Sequence, residues 1–234
     1  MCFCYIFYKF LPKITNKNDY FFYEKEYYCA LKSCSKVSIF LKNIQEKYKM
    51  ILKTRNKHQI ELVFKNIESR SIAKYSQQIL PAYRHIPGMT PHPISDKNGH
   101  SYNKSRIEFV QISMDSWQRN EEYLYAIDLF NNAFYWEAHE TLEEFWLKMD
   151  NAQYKLFLQG LIQVSAAYLK WVQGIAEGMN KLTSKGLKKI SEVSQTFQYL
   201  FGINLNYFIE INNKFLSEKH ISESLPPAII LQMD

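Results

Sequence analysis

Apolar side chains recur every three or four residues through most of the chain after residue 115, a pattern that predicts amphipathic α-helices. Asp115 followed by Gln118 resembles a capping box that opens the first helix, and Asn204 is expected to cap the last. The predicted fold is all-α, a compact bundle of about five helices at 115–130, 135–149, 152–173, 179–200 and 205–216.

The helical pattern is weaker before this bundle. Two further helices are predicted at 37–53 and 58–78, and residues 81–103 are predicted to form a Pro/His-rich loop. Four prolines in that loop forbid a continuous helix. A loop this long is usually either functional or a linker, and its histidines and tyrosines favour an ordered loop. Residues 217–234 are predicted to be a C-terminal tail.

Charge is divided unevenly along the chain, whose net charge is +6. Residues 1–75 hold 15 Lys and Arg against 6 Asp and Glu, whereas the remainder holds 14 against 17. Residues 1–75 are therefore interpreted as a basic N-terminal extension, partly helical or disordered. It is either a solvated lysine-rich segment or an arm for nucleic acid or an anionic surface. The composition also permits a start at Met50, with the preceding residues as a mis-assigned start.

All four cysteines lie in this extension, at positions 2, 4, 29 and 34. The remainder can form no disulfide, which favours a reducing compartment, and a cytoplasmic location is predicted. The chain has no run of 18 apolar residues, so no membrane span is predicted. The cofactors and partners are left open, with a homo-oligomer as one alternative.

The helix predicted at 135–149 carries the first candidate site. At about 100° per residue, His139 and Glu143 lie at the edge of its apolar stripe, with Trp136 and Glu140 in the next column. An imidazole beside a carboxylate at a core border can be held in one tautomer with a raised pKa, as in a general base or a metal-ligand pair. The alternative is a structural histidine beside glutamates on a solvated face.

The following helix is apolar on nearly all sides except for a stripe that includes Gln159 and Gln163. Buried amides need partners, and the glutamates and histidine of the preceding helix can supply them. We therefore predict a polar cluster between the two helices, either catalytic or serving only to fix their register. Its members are His139, Glu140, Glu143, Gln159 and Gln163, and Trp136 and Trp146 are predicted to support it.

The loop supplies further candidates, Arg84 for an anion and His92 and His100 as metal-ligand types. Exposed turn residues explain the two histidines equally well. His139-Glu140-x-x-Glu143 lacks the second histidine of a zinc-protease helix, and the paired Glu-x-x-His motifs of di-iron bundles are absent. No residue is assigned as a metal ligand from the sequence.

Residues 131–146 read Asn-Asn-Ala-Phe-Tyr-Trp-Glu-Ala-His-Glu-Thr-Leu-Glu-Glu-Phe-Trp. This segment resembles the signature of DUF309, a domain of unknown function, in which an aromatic residue precedes Glu-Ala-His-Glu, Leu-Glu and a Trp. Residues 157–167 and the glycines at 174 and 178 resemble its later blocks, and the loop is similar to a stretch in longer members. The resemblance spans residues 81–205, with Ala133 where the family often has glycine.

The resemblance implies a small all-helical fold and a shared His/Glu cluster, without a defined reaction. Whether the protein is an enzyme is left open. One alternative is a hydrolase-like or metal-binding enzyme in which His139 is the base, Glu143 orients it and the loop is a lid. The other is a helical protein-interaction module in which the cluster only fixes packing.

Overall fold

The chain folds as an all-α protein, as its sequence predicts. The computed structural model describes residues 54–104, 110–218 and 224–233, of which none forms a helix long and apolar enough to cross a membrane. The helix predicted at 37–53 lies outside these residues. The elements in chain order are α1 (Lys57–Glu68), a 3-10 turn (Trp117–Arg119), α2 (Glu121–Asn131), α3 (Tyr135–Lys148), α4 (Ala152–Val172), α5 (Ala176–Ser194), β1 (Tyr199–Leu200), β2 (Ile203–Asn204) and α6 (Leu205–Ser217).

Helix α4 is central because nearly all of its faces are apolar, and it packs against both α3 and α5. Asn151 caps its start by accepting hydrogen bonds from the second and third main-chain N–H groups that follow it. Where α4 crosses α5, a Cβ on Gly160 would lie 2.6 Å from the Ile190 side chain, and one on Gly186 would lie 2.7 Å from the Gly160 carbonyl. The two glycines therefore allow the helices to approach closely.

A tight reversal between α2 and α3 sets the start of α3. Ala133 has a φ of +63°, in the left-handed region that favours glycine, and the Phe134 N–H donates to the Leu129 carbonyl over 2.8 Å. Helix α3 then buries Ala138, Leu142 and Phe145 along one stripe. Its polar residues are left on the two edges of that stripe.

The prediction of a helix at 58–78 is wrong for the residues after Ser69, where the helix has ended. Helix α1 begins at a capping box formed by Asn56 and Gln59, and it ends at Glu68. The chain is then extended, and the Tyr75 and Ser76 N–H groups donate to the buried Asp128 carboxylate of α2 over 2.9 and 2.8 Å. These tertiary hydrogen bonds replace those that a longer helix would have formed.

The described residues belong to a compact unit that begins at Thr54. The charge pattern had placed the end of the N-terminal extension at residue 75. Helix α1 nevertheless buries Ile60, Val63 and Ile67 in the core, so residues 54–75 fold with the body.

Two other predicted helix boundaries are wrong for local reasons. Helix α2 starts after Asn120, whose side chain accepts the Tyr123 N–H, and not at Asp115. Helix α5 ends at Ser194 and not at residue 200, because β1 and β2 form an antiparallel hairpin through two residues of positive φ, Phe201 and Gly202. The predicted cap at Asn204 is present, since its side chain accepts the Tyr207 N–H.

The described part of the predicted C-terminal tail packs on the bundle. Ile229 and Leu231 are buried, and the Asn131 side chain of α2 makes hydrogen bonds with both the N–H and the carbonyl of Ile229, at 2.7 and 2.8 Å. The Gln232 N–H donates to the Gly202 carbonyl in the hairpin. Residues 224–233 therefore help to close the core.

Replacing Ala133 with glycine is expected to stabilise the protein by about 1 kcal/mol or less. A left-handed backbone costs an L-residue roughly 1–2 kcal/mol, whereas glycine loses about 0.5–1 kcal/mol more conformational entropy than alanine on folding. Urea unfolding of the full chain measures the difference.

The matched control is Ala138→Gly, because Ala138 is buried in the middle of α3. There the same change should lower the free energy of unfolding by about 1 kcal/mol. Similar losses in both variants would mean that the backbone at residue 133 carries no strain.

Candidate functional site

Helix α3 places His139 and Glu143 at one edge of its apolar stripe, with Glu140 in the next column of the helix. A ring nitrogen of His139 and one carboxylate oxygen from each glutamate all lie within 4.8 Å of one another. The His139 and Glu143 side chains are 24% and 16% exposed. The cluster is therefore neither sealed in the core nor fully solvated.

The tautomer of His139 follows from its hydrogen bond to α4. Its Nδ1 lies 3.2 Å from the Ile162 main-chain carbonyl, which can only accept a hydrogen bond. The neutral ring must then carry its proton on Nδ1, which leaves a lone pair on Nε2. That nitrogen lies 4.0 Å from Glu143 Oε2.

The pKa of His139 is lowered, and the prediction of a raised pKa is wrong. Desolvation by burial lowers the pKa by more than the Glu143 carboxylate and the Ile162 carbonyl raise it. The imidazole is therefore neutral near pH 7, with Nε2 able to accept a proton or bind a cation.

The two amides predicted to back the cluster lie on α4 and are half-buried. The Gln163 carbonyl oxygen accepts a hydrogen bond from Lys189 Nζ of α5 over 3.3 Å. The partner of His139 on α4 is thus a main-chain carbonyl, whereas the Gln163 side chain contacts α5. Support from the Gln159 side chain stays a prediction.

The loop packs against α3 through Trp136. The rings of His85 and His92 lie edge-on to Trp136, with centroids 5.0 and 5.2 Å away, and 5.2 Å from each other. Burial lowers the pKa of His85 to about 4 and also lowers that of His92. Since Trp136 precedes His139 and Glu140 by one helical turn, an uncharged aromatic group flanks the cluster on its N-terminal side.

Glu137 is the important residue that the sequence reasoning missed. Its Oε1 accepts the His85 main-chain N–H over 2.9 Å and lies 3.0 Å from His100 Nε2. The His100 and Glu137 side chains are only 8% and 6% exposed. Helical periodicity places Glu137 at the other edge of the apolar stripe, where a glutamate is usually solvated. A nearby loop with several histidines was the one available signal of a partner.

Arg84 packs between α1 and the α2–α3 turn, whereas Trp146 contacts a lysine of α4. The Arg84 guanidinium lies over the rings of Phe64 and Phe134, and it donates to Glu68 and to the Asn132 carbonyl. These contacts join α1 to the α2–α3 turn, so they favour a structural role over the predicted anion site. Trp146, one turn beyond Glu143, has Lys155 Nζ 5.2 Å from its ring centroid.

Part of the chain matches one known protein family. Residues 123–182 match the family described as a domain of unknown function, DUF309. This segment belongs to the DUF309 family. The DUF309 segment contains all of α3 and α4, and therefore the His139 cluster, whereas the loop lies outside it. No curated protein and no solved structure matches the chain.

Acidification from about pH 6.5 to pH 4 is expected to destabilise the fold through His85. Its pKa is about 4 in the folded protein and about 6.5 when unfolded. The unfolded chain therefore binds more protons in this window, so the contribution is full above pH 6.5 and lost as pH falls to 4. At about 1.36 kcal/mol per pKa unit the loss is at most about 3 kcal/mol, less after solvent screening.

Urea unfolding between pH 4 and 7.5 tests this with His85→Asn, whose amide can still donate to the Pro91 carbonyl that His85 Nδ1 contacts at 3.1 Å. The variant should show a shallower fall in stability with acidification. The control is the same change at His58, which is exposed on α1. An unchanged slope in the His85 variant would contradict the assignment.

Proposed function

We propose that the DUF309 segment binds a divalent metal ion between His139, Glu140 and Glu143 and uses it to activate water for hydrolysis. The observation that carries the proposal is the convergence of the three ligand atoms within 4.8 Å on a partly exposed edge of α3. One neutral imidazole and two carboxylates have a formal charge that balances a divalent cation.

The hydrogen bond of His139 supports a ligand role. Histidines that bind metals almost always donate their other ring N–H to a carbonyl or carboxylate, which fixes the ring. His139 does this with Nδ1 and the Ile162 carbonyl, at 3.2 Å. Its lowered pKa keeps Nε2 deprotonated at neutral pH, as metal binding requires.

The distance between His139 and Glu143 favours a metal over a simple His–Glu general base. Their Nε2 and Oε2 atoms lie 4.0 Å apart, which is too long for a hydrogen bond. Glu143 therefore does not orient the ring in the way the base hypothesis required, and Ile162 does. A metal with ligand distances of about 2.0–2.2 Å can join atoms roughly 3–4 Å apart after small side-chain rotations.

The donor set indicates the class of ion and the chemistry. Imidazole and carboxylate ligands without sulfur suit zinc, manganese or ferrous iron. Three protein ligands leave a position open for water, as in catalytic sites. An ion bound there would lower the pKa of a water molecule, in favourable cases to about 7, and would so make hydroxide available at neutral pH.

The surroundings of the cluster indicate where a substrate would lie. Trp136, covered by His85 and His92, stands one helical turn before it, and Trp146, near Lys155, stands one turn after Glu143. An approaching substrate would contact apolar rings on both sides. The Lys155 ammonium favours a substrate with a negative charge, such as a phosphate ester.

We also infer that the protein acts in the cytoplasm. The support is the absence of cysteine after residue 34, which leaves the compact unit independent of disulfides.

Metal binding is tested by titrating the full-length, chelator-treated protein with Mn²⁺, detected by electron paramagnetic resonance. Manganese is chosen because the cysteines at positions 2, 4, 29 and 34 have thiolates, which bind it weakly compared with zinc. One ion per chain is expected. His139→Gln should weaken binding at least about tenfold, because a ligand is lost, while its amide can still donate to the Ile162 carbonyl.

Glu144→Gln is the matched control, since Glu144 lies on α3 outside the cluster. It should bind Mn²⁺ as the wild type does, and thermal unfolding checks that all variants fold. Equal affinity in the His139 variant and the control would contradict the site.

Hydrolysis is tested with bis(4-nitrophenyl) phosphate. A rate that needs Mn²⁺ and disappears in His139→Gln, but persists in Glu144→Gln, is expected. Stoichiometric binding without any turnover would remove the enzymatic half of the proposal and leave a metal site that only supports structure.

A further inference from the structure

The loop before the bundle holds His100 and Ser101 in a fixed conformation. The Gly99 and Ser101 N–H groups donate to the Asp96 and Pro93 carbonyls over 2.8 and 3.0 Å. Gly99 can have no side chain here, because a Cβ would lie 2.3 Å from the Pro93 carbonyl oxygen. The two residues after Gly99 are thus positioned by the loop backbone.

His100 is held on two further sides. Its main-chain N–H donates to the Tyr83 hydroxyl over 3.2 Å, and that hydroxyl donates to the Pro91 carbonyl over 3.0 Å. The Tyr83 ring lies edge-on to the imidazole, with centroids 4.7 Å apart. The ring plane of His100 is therefore fixed before any ligand is present.

A chain of hydrogen bonds runs from the loop surface to a buried acid. Ser101 Oγ lies 2.9 Å from His100 Nδ1, and His100 Nε2 lies 3.0 Å from Glu137 Oε1. The carboxylate accepts, so the neutral imidazole carries its proton on Nε2 and has a lone pair on Nδ1. Nδ1 must then accept from the Ser101 hydroxyl.

The buried position of Glu137 suits it to orient the His100 ring. Its Oε1 also accepts the His85 N–H, while its Oε2 is buried and has no hydrogen-bond partner among the described residues. The carboxylate therefore faces His100 Nε2 directly, at 3.0 Å, and can hold the ring in one tautomer.

From this arrangement we infer that Ser101, His100 and Glu137 form a second catalytic site, which hydrolyses small carboxylic esters through a covalent acyl-serine. A nucleophile in contact with a base, and a base oriented by a third group, are the features that identify activated serines. In serine proteases Nε2 faces the serine and Nδ1 faces the acid. Here Nδ1 faces Ser101 and Nε2 faces Glu137. Either nitrogen of imidazole can accept the proton.

The reaction balances with water as the only co-reactant. Ser101 Oγ attacks the ester carbonyl carbon while its proton passes to His100 Nδ1. The bond to the leaving alkoxide breaks, and the alkoxide takes that proton and departs as an alcohol. Water then attacks the acyl-serine, gives a proton to His100 Nδ1, and the proton returns to Ser101 Oγ as the carboxylic acid leaves. The aromatic Tyr83 ring beside His100 favours an apolar acyl group.

This site is independent of the proposed metal site. Glu137 and His139 lie two residues apart on α3, about 200° around the helix, at opposite edges of its apolar stripe. Reactivity at Ser101 should therefore persist in chelator, under which metal-dependent hydrolysis stops.

The test is labelling of the full-length protein by a fluorophosphonate probe in the presence of EDTA, with the adduct located by mass spectrometry. Labelling of Ser101 is expected, with loss in Ser101→Ala and at least a tenfold slower rate in Glu137→Gln and His100→Gln. Ser95→Ala, in the exposed part of the same loop, should label as the wild type does. No adduct on Ser101, or a rate that does not depend on His100, would overturn the assignment.

Because His100→Gln can loosen the loop, a second measurement uses Ser101→Cys. Alkylation of the introduced thiol by iodoacetamide is followed peptide by peptide against pH, which separates it from the four native cysteines. A thiol beside the His100–Glu137 pair should reach half of its maximal alkylation rate at a pH well below about 8.5, the pKa of a free thiol. A profile equal to that of a free thiol in the folded variant would mean that the hydrogen bonds only hold the loop.

Discussion

The arrangement of the loop on the helical domain depends on one buried carboxylate. Glu137 receives the His85 N–H and His100 Nε2 at 2.9 and 3.0 Å, and both the His100 and Glu137 side chains are nearly inaccessible to solvent. A carboxylate buried without such partners is strongly unfavourable. Undocking the loop would remove both partners of the Glu137 carboxylate, and the docked loop also packs against Trp136 through His85 and His92.

Helix α2 holds two distant segments of the compact unit by the same means. Asp128 binds the extended segment after α1 through Tyr75 and Ser76, and Asn131 binds the C-terminal segment at Ile229. Both polar side chains are buried, which is tolerated because their hydrogen bonds are made. The fold therefore extends beyond the family segment 123–182, since chain from before and after it closes the core.

The sequence predicts those elements whose causes are local. Helices α3, α4 and α6 follow from their apolar stripes and, for α6, from the cap at Asn204. The end of α1 was not predictable, because the competing partner of that segment is Asp128, about 50 residues away along the chain. The early end of α5 reflects a hairpin with positive φ at Phe201, a residue that gives no turn signal.

The same distinction between local and distant causes applies to the sites. Spacing of four predicts that His139 and Glu143 are neighbours, and they are. Spacing cannot show that Ile162 supplies the partner of His139, or that burial lowers its pKa despite the adjacent glutamate. Both depend on how α4 packs against α3. Glu137 was missed for a related reason, since its partners come from a loop about 40 to 50 residues earlier.

The sequence Glu-Ala-His-Glu at residues 137–140 thus serves two different environments. Two positions along a helix turn a side chain by about 200°, so Glu137 and His139 point to opposite edges of one stripe. The first edge is closed by the loop, and its carboxylate lies 3.0 Å from His100 Nε2. The second is partly exposed, and its neutral imidazole lies beside the carboxylates of Glu140 and Glu143. Trp136 lies between them and packs against His85 and His92. Displacing the loop would thus alter both edges, whereas a substitution at His139 should leave the Glu137 edge intact.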